Sequence, residues 1–163
     1  LRGQLISLCF SIFMILLIMT LVFRSVTGGL LATLPMVASV IMMFGLMGYL
    51  DIPLNMTTSM LTGILVGVGV DYTVHFLWHL REHIKSGDSL DDAIATTLRI
   101  SGKGILFNGL SVIIGFSALL FSVFVPVQTF GILVMGSISL CLFGALATLP
   151  ALISLINPKF LYR

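Results

Sequence analysis

Apolar residues run along this chain in five long blocks separated by short polar breaks. A bilayer core takes about 20 consecutive apolar residues of helix to cross. The blocks lie at about 5–23, 29–50, 56–80, 104–124 and 128–156, and each reads as a membrane span. Pro35 predicts a kink in the second span. The fifth is longer than a bilayer requires, so it must tilt or break, and Pro150 marks the expected place.

The longest break, 81–103, has a pattern of its own. Ser89 followed by Asp92 reads as a helix start, and Asp91 and Asp92 suit its positive end. Arg99 and Lys103 suit the other end, and Leu90, Ile94 and Leu98 give one apolar face. A short amphipathic helix on the membrane surface is expected at about 89–101. The fold class predicted is therefore an all-α membrane protein: one transmembrane domain over 1–163, with five spanning helices and a short cytoplasmic amphipathic helix.

Composition agrees with the pattern. The chain is 58% apolar and 9% charged, against about 25% charged in a soluble domain. Its mean hydropathy is +1.20. Net charge is +2 with no basic stripe, so no nucleic-acid partner is expected. Arg24, Arg81, Lys85, Arg99, Lys103, Lys159 and Arg163 fall on one side of the spans, and Arg2 on the other. The lysine and arginine bias makes the first side, and with it the C-terminus, cytoplasmic. The turns 51–55 and 122–126 then lie outside, and Trp78 and Tyr49 read as interfacial anchors. An N-terminus on the outside implies a preceding helix, so the chain reads as a piece of a larger protein. Cys9 and Cys141 both lie in apolar helices and read as packed thiols rather than a disulfide.

The candidate chemistry sits in the third span. Stepping by four from Ser59 gives Gly63, Gly67, Asp71, His75, His79 and His83, all on one helix face. Gly63 and Gly67 form a pair that lets another backbone come close. Asp71 within a membrane helix costs roughly 2.5–3.5 kcal/mol, so it must face protein or a wet cavity. Desolvation favours the neutral form of a carboxyl. An ionisable group there is thus a candidate carrier of protons, with H+ as the coupling ion. Tyr72 stands beside it, and Asn108, Ser111 and Ser117 on the fourth span are candidate partners. His75 and His79 could extend a proton path. His79 and His83 also read as ordinary residues of the cytoplasmic edge.

Other chemistries fit less well. Three histidines at four-residue spacing could hold zinc, but such a site needs ligands from other elements. Met43, Met47, Met56 and Met60 could bind copper(I), yet methionine more often fills apolar gaps. Sodium would need a cage of oxygens, for which Asp71, Thr62, Asn108 and Ser111 are the candidates. No metal and no cofactor are expected. No Ser-His-Asp or Cys-His set and no phosphate-cradling loop is present, so the chain reads as a transporter rather than an enzyme.

Gly67-Val-Gly-Val-Asp71-Tyr72, followed by His75-Phe76, resembles the fourth-helix motif of the resistance–nodulation–division superfamily, closest to its MMPL-type exporters of lipids and hydrophobic molecules. Asn108-Gly-Leu-Ser111 with Gly115-Phe116, Phe130-Gly131 and Leu149-Pro150-Ala151-Leu152 fit the same family. The resemblance implies two six-helix repeats, each with a large extracytoplasmic domain after its first helix. This chain would be helices two to six of one repeat, and the end soon after Pro158 suggests the second. The Asp71-Tyr72 pair would couple protons together with its counterpart on the other repeat, and Asn108 matches a polar position facing them. The expected partners are that other repeat, the extracytoplasmic domains, the lipid bilayer, a hydrophobic substrate and an oligomer. The expected location is the bacterial cytoplasmic membrane. A module that senses lipids or sterols, or assembles another complex without transporting, remains the alternative.

Overall fold

The computed structural model describes residues 2–53, 56–158 and 161, without the side chains at 2, 4, 5 and 56–59. Ser59, Met56, Asn55, Arg2, Lys159 and Arg163, invoked above, lie outside that description in whole or in their side chains. The described residues hold helices and no strand. Five helical stretches are long and apolar enough to cross a membrane, which makes this an all-α membrane protein.

The first two spans form a tight hairpin. α1 (Arg2–Phe23) ends where Arg24 takes the left-handed conformation at φ 49°. The Ser25 amide reaches back to the Thr20 carbonyl at 3.1 Å, closing the turn in the manner of a Schellman motif. α2 (Val26–Tyr49) starts at once, with the Ser25 hydroxyl accepting from the Gly28 amide. Gly29 then lies against the Thr20 backbone: a Cβ there would meet its nitrogen at 3.0 Å and its Cα at 3.1 Å. Pro35 sits inside α2 without interrupting it.

α3 (Met56–Lys85) runs five residues past the expected end at Leu80. Hydropathy marks where the apolar run stops, but His79, Arg81, Glu82 and His83 are acceptable helix formers and carry the helix on. The turn to the next helix is correspondingly short and uses Gly87 at φ 101°. Ser89 caps the next helix as expected, accepting from the Asp92 amide at 3.3 Å and donating to its carboxylate at 2.6 Å.

The separate surface helix expected at 89–101 does not exist as such. It is the first half of one continuous helix, α4 (Leu90–Ser117), which also contains the fourth span. Gly102 and Gly104 stand at the presumed junction, but each costs a helix only about 1 kcal/mol, and no proline is there to break it. A 3₁₀ turn (Ala118–Phe121) follows.

The fifth span does not break: it stays helical from Val125 to Ile156 and absorbs Pro150 in a local π turn. α5 (Val125–Phe143) passes through a π turn (Gly144–Thr148) into α6 (Leu149–Ile156). Pro150 lacks the amide that would bond four residues back, and the wider turn accommodates its ring. The π turn rests on the other proline: a Cβ on Gly144 would lie 3.1 Å from Pro35 Cβ. α6 ends on Asn157 in the left-handed region, followed by Pro158.

α3 and α5 form the centre, flanked by α2 and α4, and α1 packs mainly on α2. The inward face of α3 repeats at helical period through Leu65, Gly69, Tyr72, Phe76 and Leu80. Gly69 is the close-packing glycine: a Cβ there would meet Cys141 Sγ on α5 and Met36 Cγ on α2, each at 3.1 Å. The buried hydroxyls of Thr33, Ser39, Thr73 and Ser137 all donate to carbonyls one turn back in their own helices. Between helices the polar contacts among the described residues centre on Cys141 of α5, whose Sγ donates to the Leu65 carbonyl of α3 at 3.9 Å and meets the Ser39 side chain of α2; the rest of the interior is held by packing. Both cysteines are free, Cys9 exposed and Cys141 buried.

Candidate functional site

At about 100° per residue, Asp71 lies some 200° around α3 from Gly69. It points away from the core. Its side chain is exposed, and among the described residues it has no hydrogen bond and no ion pair. The enclosure expected for this carboxylate is not supplied by the described residues. Gly63 and Gly67 share its face, and both open onto space with no atom near a would-be Cβ. Among the described residues no helix uses them for close approach.

Two grooves border this face. One, about 340 Å³, runs between α3 and α4 and is lined by Asp71, Tyr72, His75, His79, Ser101 and Asn108, among others. The other, about 440 Å³, runs between α1 and α3 past Ser7, Ser11, Thr62 and Gly63. Between them the outer face of α3 is small and polar. The lipid-type surface elsewhere is large and apolar, as at Phe10, Phe13, Ile41 and Ile114.

The expected site residues are thus only partly gathered. Asp71 and Asn108 line one groove. Tyr72 also lines it, but its ring is 1% exposed and its buried hydroxyl has no hydrogen-bond partner. Such an orphan costs about 1–3 kcal/mol, and the buried Thr97 hydroxyl on α4 is orphaned in the same way. Ser111 is not among the groove residues; its hydroxyl donates to the Phe107 carbonyl at 2.8 Å. Ser117 likewise donates to the Ile114 carbonyl. Thr62 belongs to the other groove, so the four oxygens considered for sodium do not converge.

The histidines divide. His75 and His79 stack with ring centroids 6.3 Å apart and planes 16° from parallel. His79 Nδ1 lies 3.5 Å from a Glu82 carboxylate oxygen. His83 instead turns to Asp88 in the α3–α4 turn, at 3.3 Å. No cluster of three metal-ligating side chains occurs among the described residues.

Residues not anticipated also line the grooves: Gly3, Ser7 and Ser11 on α1, and Ser101 and Gly104 on α4. Their spacing carried the signal. Gly3, Ser7 and Ser11 step by four, as do Gly104 and Asn108, so each set shares a helix face.

Comparison with known proteins agrees with the motifs. The family model described as "MMPL family" matches residues 2–161. A protein of Methanocaldococcus jannaschii, named "Putative membrane protein MJ1562", is 32% identical over 139 residues, or 85% of this chain. This chain spans only about a third of that relative's length, 36%. With the match covering nearly every residue from α1 to α6, the chain belongs to the MMPL family, part of the RND superfamily.

Proposed function

We propose that this chain is the membrane part of a proton-driven exporter of lipids or other hydrophobic molecules, with Asp71 as the carboxylate that binds and releases the coupling proton. The observation that carries this reading is the outward placement of Asp71 on a face of small residues. A carboxylate facing hydrocarbon costs roughly 2.5–3.5 kcal/mol. Glycines with open space before them favour close approach by another helix. Both facts call for a covering unit of similar kind, a second repeat of the same polypeptide or a second copy. Against that unit Asp71 becomes enclosed, with Asn108 in the same groove.

A proton crossing the membrane releases about 2.3 kcal/mol per 100 mV of potential. Neutralising Asp71 removes the charge from the contact between the two units, and one rocks against the other around the site. On this reading the protein sits in the cytoplasmic membrane, with the lysine- and arginine-rich α3–α4 turn facing the cytoplasm. Substrate choice belongs to parts outside this chain.

The test is Asp71→Asn in the full-length protein. It keeps shape and hydrogen bonding but cannot carry a proton. Insertion and abundance are expected to be normal, with proton-dependent export lost. Undiminished export would end this reading. Lipid binding that persists in a protein never found to transport would favour a sensing role instead.

A further inference from the structure

We propose that His75 and His79, with Glu82, form the route by which Asp71 exchanges protons with the side bearing the α3–α4 turn. This rests on the reading of Asp71 as a proton-binding group; it gives a role to His75, which stands in the family motif, and adds His79 and Glu82, which do not.

The geometry is one-sided. From Asp71 to Glu82 is eleven residues, about 16 Å of helix, close to half of a ~30 Å hydrocarbon core. Within that distance the groove face carries His75 and His79, and His79 meets Glu82 at 3.5 Å. In the opposite direction the same face offers Gly67 and Gly63, which bind no proton. The two imidazoles stack rather than hydrogen bond, with 6.3 Å between ring centres, so a bridging water carries the proton between them. The groove of about 340 Å³ has room for on the order of ten waters at ~30 Å³ each.

The surroundings leave the route to these residues. α4 lines the groove with Ile100, Ser101, Gly104, Ile105 and Asn108, none of which titrates. Arg99 and Lys103 on α4 are exposed and do not line it. α2 and α5 meet the opposite face of α3, through Met36 and Cys141. His83 is engaged by Asp88 and lies off the path. At the mouth, Glu82 shares a third groove with Arg81, Lys85 and Trp78. Each step moves one proton: an imidazole accepts on one nitrogen and releases from the other. Glu82 then hands the proton to bulk water.

Time-resolved infrared spectroscopy tests this without a substrate. The full-length protein is reconstituted with the α3–α4 turn facing the outer solution, and that solution is given a pH jump. The carboxyl band absent from Asp71→Asn reports protonation of Asp71. In the His75→Gln, His79→Gln double variant the band is expected to respond about 10- to 100-fold more slowly, in line with the loss of a positioned proton carrier. Added imidazole is expected to restore the rate in this variant. An unchanged rate would overturn the route. So would slowing that imidazole cannot relieve, which marks a structural effect. A protein lacking any pH-responsive Asp71 band would instead overturn the underlying reading of Asp71.

Discussion

Two glycines two residues apart, on opposite faces of α3, should respond oppositely to one added methyl group. At Gly67 a Cβ meets nothing within 4 Å. Alanine there gains only helix propensity, about 0.5–1 kcal/mol. At Gly69 the same methyl arrives 3.1 Å from Cys141 Sγ and from Met36 Cγ. Relaxed contacts fall at about 3.5–4.0 Å, so the packed side chains of Met36 and Cys141 must give by a few tenths of an ångström. Overpacking of this kind costs about 1–3 kcal/mol, set against the same gain in propensity. Gly69→Ala is thus expected to fall below Gly67→Ala by about 1–3 kcal/mol. The assay is equilibrium unfolding of the 163-residue chain in detergent, followed by helical circular dichroism. Equal stability of the two variants, or the reverse order, would refute the assignment of inner and outer faces of α3. In the full-length protein Gly67→Leu should then abolish transport, because the larger side chain projects from the open face where the covering unit must seat.

Four further outcomes follow from the packing. Gly144→Leu drives its side chain into Pro35, 3.1 Å from the Cβ position, and should cost about 1–3 kcal/mol in unfolding free energy. Ser89→Ala removes both capping bonds of α4 and should cost about 1 kcal/mol, with faster amide exchange confined to residues 90–93. A cysteine at Gly67 should cross-link to the covering unit, whereas one at Ile41, on the lipid-type surface, should not. Membrane-permeant thiol reagents should modify Cys9 in the folded protein and reach Cys141 only after unfolding.

The spans were legible because a bilayer demands length and apolarity, and both are written in single residues. The Ser89 cap and the irregular turn near Pro150 were legible for local reasons too, a side chain three residues from its partner and a proline without an amide. The run of α3 to Lys85 was hidden because hydropathy reports the solvent around a helix rather than the end of its hydrogen bonding. Which glycine packs was hidden for a different reason. Gly63, Gly67 and Gly69 look alike along the chain, and Met36 and Cys141, far off in sequence, decide among them. The same limit applies to Asp71. Periodicity groups it with Gly67 and His75, but only the fold reveals that this group turns its back on its own bundle.

The outermost helix is not free to drift. Its two-residue link to α2 is closed by the Ser25–Thr20 bond, and Gly29 seats directly on the Thr20 backbone. α2 in turn leans through Pro35 on Gly144, at the π turn where the last span changes course. A swing of the first hairpin therefore transmits to the C-terminal helix like one cogwheel driving the next, and Pro35 is the tooth that seats in the notch left by Gly144.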